Sequence, residues 1–220
     1  MEPILGMLSG KSWITVTWAQ SINGVIGSDD QRLLLSGDES LRLTHCIRER
    51  SDSILIGINT LLKDQPRLDV VQPDGSRLPG PVPVIIDSKL QTPPDARILS
   101  IHSRVIIFTS IHVPQNHERA RQLESKGAKI HRIPVLENTG HLDLQAAVKI
   151  LRETEELTRL MVEGGAKIIE SFLPLADTAI VTISPQFISK GVKIETDFAM
   201  KDPVCTAMLG RDIIIAARVK

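Results

Sequence analysis

Short apolar runs rich in β-branched residues alternate along the chain with segments in which apolar residues recur at helical spacing. The apolar runs predict strands at residues 13–19, 53–57, 83–87, 104–109, 129–133, 159–162, 178–183 and 212–216. The helical spacing predicts helices at residues 59–63, 118–126, 143–152 and 167–173, and a further helix running from a capping box at residues 36–39 to about residue 50. Strand and helix therefore alternate nearly throughout, and the last two strands follow each other without a helix between them.

This order of elements predicts an α/β fold. Alternation favours a mostly parallel central sheet with helices on both faces, and the final pair of strands favours an antiparallel C-terminal edge. The 220 residues contain no repeat, low-complexity segment or linker. We therefore expect a single domain over residues 1–220, with residues 1–12 as a flexible N-terminus.

Composition excludes several classes of function. Lysine plus arginine and aspartate plus glutamate both number 26, so no net charge favours nucleic acid or an anionic membrane. Aromatic residues make up 3% of the chain and tyrosine is absent, which argues against a base-stacking surface. No apolar run reaches the ~20 residues that cross a bilayer. Cys46 and Cys205 stand far apart, and the N-terminus lacks a signal sequence, so we expect a cytoplasmic protein without a structural metal.

The Glu163, Gly164, Gly165 turn between a predicted strand and a predicted helix is the most informative motif. Such a turn brings backbone N–H groups to a helix N-terminus, where unpaired donors and the helix dipole favour a phosphate group. A tight strand-to-helix bend without a ligand explains the two glycines equally well. The carboxylate of Glu163 at the mouth of the turn favours the phosphate interpretation.

Two other loops follow predicted strands, at residues 19–24 and 57–68. Thr60 and Asp64 are four residues apart and would share a helical face, although such a pair is also common as a cap or a solvated face. The Asn-Gly in the first loop is also a plain turn signal. Zinc-deaminase, Gly-x-Ser-x-Gly, Walker and Gly-x-Gly-x-x-Gly motifs are all absent from the sequence.

Taken in order, these loops resemble the riboflavin-pathway reductase family. Its members are the stand-alone diaminopyrimidine reductases of fungi and archaea and the reductase half of bifunctional bacterial enzymes. The matching segments keep the family's order and spacing across almost all of residues 13–219, and they are residues 16–24, 53–68, 83–87, 161–166 and 183–185.

The resemblance implies a dihydrofolate-reductase-like fold, a homodimer and NADPH, with NADH less favoured, as the reductant of a pyrimidine ribosyl phosphate. The ribosylamino side chain of 2,5-diamino-6-ribosylamino-4(3H)-pyrimidinone 5′-phosphate would become ribitylamino. Cofactor contacts carried over by position are Ala19, Thr60, Asp64, Gly164, Gly165, Ala166, Lys167 and Ile168. Arg48 and Glu163 would contact the substrate, and Asp64 and Glu163 are the candidate proton donors. A basic residue selecting NADPH could be Lys89 or lie near Thr109 and Ser110.

The chain also departs from the family pattern. The Ser-Leu-Asp-Gly turn has lost its carboxylate at Asn23, and residues 69–72 lack the basic residue that many relatives carry. Arg32 could replace that phosphate ligand, since arginine grips phosphate with two donors. The missing deaminase signature predicts a stand-alone reductase. Two alternatives stay open: a reductase of a different imine or carbonyl, and a non-catalytic nucleotide-binding protein.

Overall fold

The computed structural model describes residues 1–28 and 33–219. Its helices are α1 (Glu2–Gly6), α2 (Asp38–Arg50), α3 (Ile58–Asp64), α4 (Arg97–Ile101), α5 (Glu118–Ser125), α6 (Leu144–Glu153) and α7 (Ala166–Phe172), the last followed by a 3₁₀ turn at Leu173–Leu175. Its strands are β1 (Trp13–Ser21), β2 (Val25–Gly27), β3 (Ser53–Gly57), β4 (Val70–Val71), β5 (Arg77–Leu78), β6 (Val82–Ile86), β7 (Val105–Ser110), β8 (Ala128–Ile133), β9 (Arg159–Val162), β10 (Thr178–Ser184), β11 (Val192–Lys193), β12 (Lys201–Leu209) and β13 (Asp212–Arg218).

A nine-stranded sheet in the order β12-β13-β10-β1-β9-β3-β6-β7-β8 organises the described chain. The strands from β10 to β8 in this order pair in parallel, whereas β13 runs antiparallel to both β10 and β12. The predicted parallel sheet with an antiparallel C-terminal edge is therefore confirmed. Because β3, β6 and β9 are parallel neighbours, the loops that follow them emerge at one edge of the sheet.

Hydrophobic side chains cover both faces of the sheet. Along β3, Ile54 and Ile56 belong to one buried cluster together with Leu43 and Ile47 of α2. Leu55, between them, belongs to a second buried cluster on the opposite face, with Ile169 and Phe172 of α7 among its members. Successive strand residues point to opposite faces, so this division shows helices on both sides of the sheet. None of the helices in the described part of the chain is long and apolar enough to cross a membrane.

The N-terminus differs from the flexible segment that we expected over residues 1–12. Ile4 and Leu5 of α1 are buried, and they belong to the same hydrophobic cluster as Leu43. So short a segment has no periodicity from which a helix could be predicted, and burial of its apolar side chains against the core provides the stabilisation that a five-residue helix lacks by itself.

The start of α2 also differs from the predicted capping box at residues 36–39. Gly37 is the N-cap residue, and no side chain of the box caps the helix. Instead, the backbone N–H of Gly37 donates to the Oδ2 atom of Asp212 at 2.7 Å, and the Ser40 hydroxyl bonds to the same carboxylate oxygen. A carboxylate from distant β13 thus replaces the local cap, because its negative charge suits the helix N-terminus.

A buried carboxylate, Glu155, joins the segment after α6 to the far edge of the sheet. It lies 2.6 Å from Arg104 Nη2, 2.7 Å from Lys129 Nζ and 2.7 Å from His131 Nε2, while its side chain is only 1% exposed. Burial alone would raise the pKa of Glu155, but hydrogen bonds from Lys129, Arg104 and His131 outweigh burial and lower that pKa to about 2.

We predict that Glu155→Gln lowers the free energy of unfolding at neutral pH by about 1–3 kcal/mol, since it leaves clustered cations without their anion. The folded pKa is depressed, so the stabilisation is fully present above the unfolded value of 4.5 and is lost as the pH falls toward about 2. Urea unfolding of both proteins across this range checks the prediction. Glu153→Gln, on the exposed face of α6, is the control. A stability difference that does not shrink on acidification would contradict it.

Candidate functional site

A cleft of about 910 Å³ opens at the edge of the sheet where β3, β6 and β9 end. Its walls are formed by α3, the start of α7, the segment around β2 and the β4–β5 hairpin. A cleft of this volume accommodates a cofactor-sized ligand. The predicted site residues that line it are Arg48, Thr60, Asp64, Glu163, Gly165, Ala166, Lys167 and Ile168.

Two of the predicted site residues that the structure describes do not join this lining. Ala19 lies on β1, paired with Thr182 of β10 and half-buried, and it is not part of the cleft wall. Gly164 is buried beneath the start of α7 rather than exposed to the cleft. Arg32 lies outside the described residues.

The glycine turn has the form that the sequence indicated. Gly165 is the N-cap of α7 in an extended conformation, and no side chain caps the helix. The Gly165 N–H donates to Thr60 Oγ1 at 3.2 Å, which joins the starts of α3 and α7. The Gly165 carbonyl accepts from Ile168 and Ile169. The N–H groups of Ala166 and Lys167 belong to the first turn of α7 and have no acceptor among the described residues.

Gly164 has a packing role that the sequence did not indicate. A Cβ atom at residue 164 would lie 2.4 Å from Ile168 Cγ2 and 2.5 Å from Ile168 Cβ, and one at Gly57 would lie 2.8 Å from Ile168 Cγ1. Both glycines therefore make room for Ile168, which brings α7 close to the ends of β3 and β9. At Gly165 a Cβ atom would be 3.5 Å from Thr60 Oγ1, an ordinary contact distance.

Arg48 of α2 and Glu163 form a two-pronged ion pair in the cleft. Arg48 Nε lies 2.7 Å from Glu163 Oε1, and Arg48 Nη2 lies 2.6 Å from Oε2. Their side chains are 13% and 16% exposed. Burial would lower the pKa of Arg48, but the charge and hydrogen bonds of Glu163 reverse this effect and raise it. Arg48 therefore stays charged, and the two side chains hold each other in place.

Asp69 binds two arginines that were not among the predicted site residues. Arg67 Nε lies 2.6 Å from Asp69 Oδ2, and Arg77 Nη1 lies 2.8 Å from the same atom. Although burial would raise the pKa of Asp69, these arginines lower it. Both arginines line the cleft, together with Arg97. The Asp-Gly turn signal after Pro73 could have revealed the hairpin that carries Arg77 back beside Asp69.

Comparison with known proteins identifies the family. Residues 12–197 match the family described as the RibD C-terminal domain. The chain belongs to this family. The 2,5-diamino-6-ribosylamino-4(3H)-pyrimidinone 5′-phosphate reductase of Methanothermobacter thermautotrophicus is 30% identical to it, over 96% of this chain and 99% of that protein. The resemblance predicted from the ordered loops is therefore confirmed.

Solved structures support the fold of this RibD-family domain. The riboflavin biosynthesis reductase Rib7 of Saccharomyces cerevisiae superposes with a TM-score of 0.77 and 23% identity, covering 99% of this chain and 95% of that one. Dihydrofolate reductase from Enterococcus faecalis superposes with a TM-score of 0.51 and 14% identity, covering 94% and 97%. The predicted dihydrofolate-reductase-like fold is confirmed.

We predict that alanine is tolerated at residue 165 but not at residue 164. Gly164→Ala forces a Cβ atom against Ile168 and must displace α7, so the free energy of unfolding should fall by about 1–3 kcal/mol, as is usual for overpacking. Gly165→Ala should lower it by no more than about 0.5–1 kcal/mol, because alanine meets no close contact there and is only a poorer N-cap residue. Thermal unfolding of the matched pair measures this difference, and equal stabilities would disprove the packing role of Gly164.

Proposed function

We propose that the protein is an NADPH-dependent reductase of riboflavin biosynthesis. It reduces the ribosylamino side chain of 2,5-diamino-6-ribosylamino-4(3H)-pyrimidinone 5′-phosphate to the ribitylamino form. The observation that carries the proposal is the near full-length similarity to the Methanothermobacter reductase of that name. The cleft supports it, because Arg48, Thr60, Asp64 and Glu163, assigned to ligands by family resemblance, all line one cavity.

The residues at the start of α7 fit the phosphates of a nicotinamide dinucleotide. Ala166 and Lys167 line the cleft at the start of α7, and a helix N-terminus favours an anion. Gly165 leaves the backbone accessible, while Thr60 fixes the turn through the Gly165 N–H. When bound, the nicotinamide supplies the hydride. The protein's own contribution is to hold the cofactor and the substrate next to each other in the orientation that hydride transfer requires.

At the substrate end, the two candidate carboxylates have different surroundings. Both oxygens of Glu163 accept from Arg48, so Glu163 is suited to fixing Arg48 and accepting hydrogen bonds from the substrate. Asp64 is exposed at the end of α3, and its side chain bonds to no other described residue, so its carboxyl is free to relay a proton through water to the side-chain nitrogen of the substrate. We therefore propose Asp64 as the residue on the proton path, and Glu163 as the positioning carboxylate.

The finer assignments rest on the family resemblance. We propose NADPH over NADH, and a cytoplasmic homodimer. Of the two candidate regions for selecting NADPH, Thr109 and Ser110 are buried, and the Thr109 hydroxyl bonds to the Ser88 carbonyl. Lys89, next along the chain, is exposed. Lys89 is therefore the better candidate for contacting a ribose phosphate.

A purified sample mixed with NADPH and the ribosylamino-pyrimidinone phosphate should lose absorbance at ~340 nm, the band of the reduced nicotinamide. No loss with either the diamino or the deaminated substrate would refute the proposed function. Turnover of an unphosphorylated imine alone would instead indicate a reductase with a different substrate. Cofactor binding by calorimetry without oxidation would indicate a non-catalytic protein.

Asp64→Asn should lower kcat about 10²-fold, since an amide cannot relay a proton. Glu163→Gln should lower kcat/KM about 10–100-fold, because Arg48 loses its charged partner and its fixed orientation. Steady-state kinetics measure both effects, with Glu153→Gln on the exposed face of α6 as the control. Full activity in either variant would exclude the role given to that residue.

A further inference from the structure

We propose that Arg67 and Arg77, held together by Asp69, form the binding site for the phosphate monoester of the substrate. This inference rests on the proposed function and extends it to the substrate's anionic end. Residues 69–72 carry no positive charge. Positive charge at this end of the cleft is supplied instead by Arg67, two residues before this segment, and by Arg77, which the β4–β5 hairpin places opposite Val71.

The charge balance of the three side chains leaves an excess cation facing the cleft. Asp69 is 4% exposed and carries one negative charge between two guanidinium groups. Arg67 uses Nε and Arg77 uses Nη1 to contact it. Both Nη groups of Arg67, and Nη2 and Nε of Arg77, have no acceptor among the described residues. The side chains of Arg67 and Arg77 are 32% and 49% exposed, so these donors are open to a ligand.

The backbone around Asp69 is rigidly placed. Leu68 has a left-handed φ of 53°, which is unfavourable for a side-chain-bearing residue and persists only where its surroundings fix it. A Cβ atom at Gly80 would lie 2.1 Å from the Leu68 carbonyl oxygen and 3.0 Å from Asp69 Cα, so the chain after the hairpin packs directly on this segment. Val71 pairs with Arg77 across the hairpin. Asp69 and the hairpin together hold both guanidiniums in fixed positions, as selective anion binding requires.

A hydrogen bond between Asp69 and Arg48, one of the proposed substrate residues, favours the substrate phosphate over the cofactor phosphates as the ligand of this site. The Asp69 carbonyl accepts from Arg48 Nη1 at 3.0 Å, and Arg48 in turn grips Glu163. The site therefore adjoins the Arg48–Glu163 pair. The dinucleotide phosphates are assigned separately to the start of α7. The chemistry fits any phosphate monoester, including the ribose phosphate of NADPH, so the experiment must separate these two sources.

The test compares Arg77→Ala, Arg77→Lys and Arg121→Ala, the last being an exposed arginine of α5 outside the cleft lining. Arg77→Ala should raise KM for the phosphorylated substrate about 10–100-fold, the usual effect of losing charge-assisted hydrogen bonds. KM for the dephosphorylated substrate, kcat, and the ratio of NADPH to NADH affinity should stay unchanged. Arg77→Lys should recover part of the loss, and Arg121→Ala should match the unmodified protein.

A second measurement does not depend on turnover. Ribose 5-phosphate, titrated by calorimetry, should bind the unmodified protein more tightly than ribose does, and Arg77→Ala should abolish that difference. If the protein reduces no pyrimidine substrate yet shows this difference, the anion site stands and the proposed function fails. Equal losses of both substrates, a loss confined to NADPH, or unchanged binding of the phosphorylated ligands in Arg77→Ala would each overturn the proposal.

Discussion

The close contact of one isoleucine with two glycines determines the geometry of the cleft. Ile168 sits where Gly57 and Gly164 leave no side chain, so α7 can begin directly against the ends of β3 and β9. Because these strands are parallel neighbours, α3 and α7 start side by side, and Thr60 can reach the Gly165 N–H. Any larger residue at either glycine would move α7 away from the ends of β3 and β9, and would separate the Gly165 N–H from Thr60.

Linked ion pairs and hydrogen bonds connect the charged side chains across the substrate end of the cleft. Glu163 binds Arg48, Arg48 contacts the Asp69 carbonyl, and the Asp69 carboxylate binds Arg67 and Arg77. Removing partly buried charges from water is costly, and these groups offset the cost by pairing with good geometry. Each of these side chains is therefore oriented by its neighbours before any ligand binds.

The sequence predicted the parts of the fold whose signals are local. Buried strands such as β3 and β7 are continuous apolar runs, and the Gly164–Gly165 turn joins a strand to a helix, so both could be identified without coordinates. β12 was missed because it is an exposed edge strand containing Pro203, with little apolar alternation. The capping of α2 by Asp212 and the pairing of Asp69 with Arg77 depend on contacts between segments that only the folded chain brings together. No sequence signal indicated the first arrangement, and the only signal for the second was the Asp-Gly turn after Pro73, which marks the hairpin but not the ion pair.

The capping of α2 by β13 gives the C-terminal edge an influence on the cleft. Residues 12–197 account for the family match, and β13 lies beyond them, at the far side of β10 and β1 from the cleft. Yet Asp212 binds Gly37, the N-cap residue of α2, and Arg48 lies in the last turn of the same helix. A helix is a stiff rod, so its starting point sets where its other end can be. A strand beyond the residues that match the family thus helps to position Arg48 at the substrate end, through its contact with the start of α2.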